Sequence, residues 1–138
     1  MMLFSQVKGL PVVTLTEAAE LGVVTSLAVD AASGTVTHVR VHGKRPRRDT
    51  VLAWDALHAV GADAVLVRST ADAVEPPPGH EVLGRRVLAE TGDERGTVQD
   101  VAFDPATGRV LTVLTALDEL PADRLLGLGD HALVVRAD

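Results

Sequence analysis

Apolar residues along this chain recur at every second position over short runs, and the runs come twice. In 23–30, Leu27 and Val29 share one face and Val24 and Ala28 the other; in 97–104, Val101 and Phe103 oppose Val98 and Ala102. Period two marks a β-strand, and apolar residues on both faces predict a strand covered on both sides. Further strands are predicted at 10–15 and 86–89, at 35–41 and 109–115, and at 64–68 and 132–136, with single helical turns at 54–58 and 122–125. The segments joining the long strands to the next ones, 30–34 and 104–108, begin with Asp and end with Gly. An Asp carboxylate binds the backbone two residues on and Gly accepts positive φ, so both segments read as hairpin turns.

The pairing of these elements is an internal duplication. Gly22 falls on Gly96, Asp30 on Asp104, Gly34 on Gly108 and Val39 on Val113, at a constant offset of 74. Upstream, Gly9 falls on Gly84 at an offset of 75, so one residue is missing from the turn between. Downstream, Leu52, Asp55, Leu57, Gly61, Val67 and Arg68 fall on Leu120, Asp123, Leu125, Gly129, Val135 and Arg136 at an offset of 68. The six-residue difference places an insertion in the first copy within 42–49. Between the copies, 71–79 contains Pro76, Pro77 and Pro78, which favour polyproline II over helix or central strand and read as a semi-rigid spacer. The expected organisation is therefore a first repeat at 1–70, a linker at 71–79 and a second repeat at 80–138. The expected class is all-β: two tandem small antiparallel β-barrels, each with a short helical turn. Whether each copy closes its own barrel or the two exchange strands stays open at this level.

The run Gly9-Leu10-Pro11-Val12-Val13, the segment from Gly22 to Asp30, and the later Leu52-Ala53-Trp54-Asp55-Ala56-Leu57 together resemble the PRC-barrel family. The second copy is similar in Gly96-Thr97-Val98-Gln99-Asp100-Val101-Ala102-Phe103-Asp104, where Asp100 matches the family's usual acid; the first copy departs with Ser26. The resemblance extends over nearly the whole chain. It implies two PRC-barrel-like units and a docking or assembly module without catalysis of its own.

Composition narrows the chemistry. Aromatic residues are 2% of the chain against 46% hydrophobic, so the core must be built from Val, Leu and Ala. There is no cysteine, hence no disulfide, thiolate zinc site or thiol nucleophile, and the cytoplasm is the expected compartment. No apolar run approaches the ~20 residues that span a bilayer. The net charge of −6 is carried almost wholly by the second half: 71–138 holds 6 Lys/Arg and 13 Asp/Glu, 1–70 holds 7 and 6.

Catalytic, cofactor and metal residues are not expected. His38 and His42 have the spacing that chelates metal on a helix, but on a strand four residues span about 13 Å. Asp55 with Asp123, and Asp63 with Asp130, recur at turns, where capping explains them. The candidate partner-binding residues are Lys44, Arg45, Arg47 and Arg48 in the insertion, and Trp54. Those four cations suit phosphates or an acidic protein surface, although no aromatic residue interleaves with them to stack on bases. Trp54 faces Ala122 in the repeat register and reads first as core or seam packing, then as a binding anchor. The leading expectation is a non-enzymatic protein-interaction module with a protein partner yet to be identified. The alternatives are an RNA- or ribosome-associated adaptor acting through 42–49, self-association of basic loop with acidic half, and a small-molecule binder at the seam between the copies.

Overall fold

The computed structural model describes residues 1–43, 49–68, 73–74 and 80–137. The chain opens with β1 (Met2–Leu3) and the one-turn helix α1 (Phe4–Val7), then runs through β2 (Pro11–Thr14), β3 (Glu20–Asp30), β4 (Thr35–Gly43) and β5 (Asp49–Ala53). A 3-10 turn (Trp54–Ala56) leads to β6 (Leu57–Val60), β7 (Val65–Val67) and β8 (Ala73–Val74). The second copy repeats the plan: β9 (His80–Glu81), β10 (Arg86–Ala89), β11 (Glu94–Phe103), β12 (Val110–Thr115), β13 (Glu119–Pro121), a 3-10 turn (Ala122–Arg124), β14 (Leu125–Leu128) and β15 (Leu133–Val135).

The protein is all-β, and each copy contributes one curled sheet, ordered β6-β7-β2-β3-β4-β5-β8 in the first and β13-β12-β11-β10-β15-β14 in the second. Within the first path β5 and β6 lie far apart, yet only Trp54–Ala56 separates them in sequence. A three-residue connection demands that these strands be close, so the sheet rolls up and the 3-10 turn spans its opening instead of a hydrogen-bonded ladder. One pair in each copy departs from the antiparallel expectation: β2 runs parallel to β7, and β10 to β15. The reason is that the 3-10 turn carries the chain onward from one edge of the rolled sheet to the other without the reversal a hairpin gives. Ala73–Val74, which the sequence places in the spacer, pairs with Val51 and Leu52 as an added edge strand.

The repeat register holds at the level of single hydrogen bonds. Gly9 N donates to Val24 O and Gly84 N to Val98 O; Gly34 N donates to Asp30 O and Gly108 N to Asp104 O; Gly61 N donates to Ala64 O and Gly129 N to Ala132 O. Asp30 Oδ1 accepts from Ala32 N at 3.2 Å and Asp104 Oδ1 from Ala106 N at 2.9 Å, so the hairpin turns close as their composition requires.

The two copies exchange their first strands. β3 is 11 residues long, but its own neighbour β2 covers only Glu20 to Val23, leaving a bare edge beyond. The second copy's β9 fills it, with Ala28 opposite Glu81 and Val29 opposite His80. Reciprocally, β1 pairs with the end of β11, Met2 opposite Phe103 and Leu3 opposite Ala102. Backbone groups on an exposed edge need partners, and each copy supplies the other's. Around this crossing Ser26, Leu27, Ala28 and Val29 are all buried. The apolar interior is continuous across the copies, from Val12, Val39 and Val67 through Phe4 and Phe103 to Val87, Val113 and Val135.

Candidate functional site

The functional geometry concentrates on the seam, where the two hairpin turns meet. Thr35 and Arg109 form an antiparallel bridge. Val36 N donates to Gly108 O at 2.8 Å, and Val110 N donates to Gly34 O at 2.8 Å. Thr35 and Arg109 are each other's repeat equivalents, and the repeat offset turns one of these hydrogen bonds into the other, so an approximate two-fold axis passes between the turns.

On one side of that axis stands Trp54. Its indole lies against the second copy's turn: a Cβ built on Gly108 would stand 2.8 Å from Trp54 Cε2, and Gly108 has φ +80°. Only glycine meets both conditions at once. Below it, Phe103 meets the indole edge-on at a centroid distance of 6.1 Å, and Phe4 meets Phe103 at 5.2 Å. These are T-shaped contacts, favourable for aromatic quadrupoles. All three aromatic residues of the chain thus form one stack across the seam, and Trp54 is seated there as packing.

On the other side of the axis the same place is open. The equivalent of Trp54 is Ala122 and the equivalent of Gly108 is Gly34, whose built Cβ would meet only the Ala122 methyl, at 3.8 Å. A cleft of about 350 Å³ results, bordered by Ser33, Arg109, Ala122, Leu125, Leu126 and Arg136. Leu125 and Val110 are buried at its floor, while Leu126 is 41% exposed. In the first copy Arg68 donates to the Asp55 carbonyl at 2.9 Å; its equivalent Arg136 instead borders the cleft.

A second cleft of about 400 Å³ lies beside Leu83, Gly84, Arg85, Arg86, Thr97 and His131. Its cations have internal work. Arg85 donates to the carbonyls of Glu81 at 2.9 Å and Asp130 at 2.6 Å, and Arg86 lies 3.7 Å from Glu94.

Asp100, which the sequence marks only as a family position, ties the exchanged strand down. It accepts from the backbone N–H of Ser5 at 3.1 Å, from the Ser5 hydroxyl, and from its own neighbour Val101 N at 2.8 Å. In the first copy Ser26 stands there, and the opposing segment lacks the three residues that include Ser5. The missing signal was this covariation of an acid with a remote hydroxyl, which a single copy cannot display.

Lys44, Arg45, Arg47 and Arg48 lie outside the described residues. The hairpin that leads to them is longer than its counterpart: His42 pairs with Asp49, and His42 Nδ1 lies 2.9 Å from Asp49 Oδ1. The second copy instead closes tightly, Thr115 N donating to Asp118 O at 2.9 Å. His38 and His42 both lie on β4, and His38 Nδ1 is buried without a hydrogen-bond partner among the described residues. No three His, Cys, Asp or Glu side chains gather to hold a metal ion among the described residues. Nor, among them, is any helix long and apolar enough to cross a membrane.

Two curled sheets with one duplicated strand order and a capping 3-10 turn define a tandem small-barrel protein. The family model for the PRC-barrel domain matches residues 1–74 and again 78–136, so the chain belongs to the PRC-barrel domain family, in two tandem copies. A comparison with curated proteins finds no match.

Proposed function

We infer that this protein is a non-enzymatic docking module that holds a protein partner on a rigid, duplicated scaffold. The observation that carries the reading is how the two copies are joined. Exchanged strands, reciprocal seam hydrogen bonds and one continuous core fix the two hairpin turns relative to each other. A fixed pair of related surfaces is what a docking protein gains from duplication, since a preorganised surface loses little freedom on binding. Membership of the PRC-barrel family supports a generic module of this kind.

The recurring carboxylates support the same reading. Asp30 and Asp104 hold hairpin turns, and Asp100 holds the crossing segment. These acids serve the fold where an enzyme would aim them at a substrate.

The test is affinity capture with the intact chain from lysate of its native cell, at moderate salt. The expected result is one or a few proteins retained in near-stoichiometric amount. Repeated capture that returns no protein overturns the reading, as does exchange of the retained material for RNA that nuclease releases.

A further inference from the structure

We propose that the cleft at Ala122 receives a single aromatic side chain carried on an acidic segment of a partner protein. The proposal rests on the docking reading above and names the partner's chemistry.

The protein contains its own template for the occupant. Across the two-fold axis the equivalent hairpin turn closes with the same hydrogen bond, Gly108 N to Asp104 O as Gly34 N to Asp30 O, and there the indole of Trp54 fills the space over Gly108. Over Gly34 the ring is missing, while the glycine that would let a ring approach is retained, with φ +66°. A volume of about 350 Å³ sits at the low end of the range for ligand pockets. It suits one ring and its flanking backbone rather than a nucleotide cofactor.

The occupant comes from another protein. A second copy of this sequence offers no free ring: it has one Trp, two Phe and no Tyr. Phe4 and Phe103 are 1% and 0% exposed, and Trp54 is seated on Gly108.

The rim sets the charge. Arg109 and Arg136 flank the opening against one acid, Asp123. A guanidinium beside an aromatic face gains a cation–π contact, and its fork matches carboxylates on either side of the ring. The chain's net charge of −6 opposes an acidic partner at long range. At physiological ionic strength the screening length is about 8 Å, so the two local guanidinium groups dominate once the segment is in place.

The experiment is an amide NMR titration of the full chain with the blocked peptide Asp-Glu-Trp-Glu-Asp, with its Trp-to-Ala analogue, and with Lys-Lys-Trp-Lys-Lys. The expected result is saturable shifts at Gly34, Val110, Ala122 and Leu125, with affinity falling about tenfold or more for either control peptide. Ala122→Trp should fill the cleft from within, as Trp54 does, and abolish the shifts. Should that variant not fold, Arg109→Ala with Arg136→Ala should weaken the acidic peptide about tenfold and leave the spectrum otherwise intact. Absent shifts, equal binding of the Ala analogue, or no effect of either variant overturns the proposal. Sedimentation that shows Ala122→Trp breaking up a dimer overturns it too, in favour of self-association. Lysate capture separates the two claims: a partner held equally by the native chain and by Ala122→Trp sinks the cleft and spares the docking reading.

Discussion

Thr35 and Arg109 face each other across the seam as an antiparallel bridge, and each is the other's equivalent in the repeat. An antiparallel contact between equivalent residues, flanked by reciprocal hydrogen bonds, marks two copies that meet about an approximate two-fold axis. In most such proteins that axis relates two chains; here it relates two halves of one. The reciprocal bonds from Val36 to Gly108 and from Val110 to Gly34 flank the bridge on either side. From this geometry several expected outcomes can be measured.

Neither half should fold alone. Residues 1–74 expressed without the rest would leave the end of β3 and the strand β1 unpaired, with Phe4 torn from Phe103. Circular dichroism and sedimentation should find each half weakly structured or self-associated, and mixing the two should restore a one-to-one complex. A monomeric half that unfolds cooperatively contradicts the strand exchange.

Gly108→Ala should destabilise the protein by about 1–3 kcal/mol, since the new methyl is strained on the left-handed backbone already present and collides with the indole. Trp54→Ala should relieve the collision, so the double variant should lose less than the sum of the two single ones when measured by urea unfolding. Strict additivity would place Trp54 elsewhere. Gly34→Ala, facing only the Ala122 methyl, should cost the backbone part alone.

Ser5→Ala should cost about 1 kcal/mol in urea unfolding, because it removes a hydroxyl bonded to a partly buried carboxylate. The loss should be seen as faster amide exchange at Ala102 and Phe103, where β1 lies against β11. An Asp100→Ala background should erase the effect of Ser5→Ala, and independent effects would separate the two residues.

Much of the fold was legible in the residues. The alternation around Leu27 and Val101, the Asp-to-Gly turns and the offsets of the duplication correspond to strands, turns and equivalent hydrogen bonds, because each rests on local backbone chemistry. The burial of both faces of 23–30, with Val24 and Ala28 on one and Leu27 and Val29 on the other, was also readable. What no alternation discloses is the strand exchange itself: β9 and β1 are two-residue strands whose pairing completes the bare edges of β3 and β11. The parallel pairs β2–β7 and β10–β15 were hidden for a related reason: strand direction follows from how the sheet rolls, which no single segment encodes.

The site was legible in part. Trp54 opposite Ala122 was visible as a difference between copies, and seam packing was the leading reading of the Trp. That Ala122 leaves a cleft depends on Gly34 lying beneath it, a contact between different copies that only the two-fold arrangement creates. The basic insertion shows the opposite case, prominent in sequence yet with Lys44, Arg45, Arg47 and Arg48 outside the described residues.

The central claim, that two family domains form one cooperative body, is tested most directly by scanning calorimetry of the intact chain. A single transition whose calorimetric enthalpy equals the van't Hoff enthalpy is the predicted result. Two transitions, or a calorimetric enthalpy near twice the van't Hoff value, would mean that the copies unfold separately and would contradict the shared core and the exchanged strands.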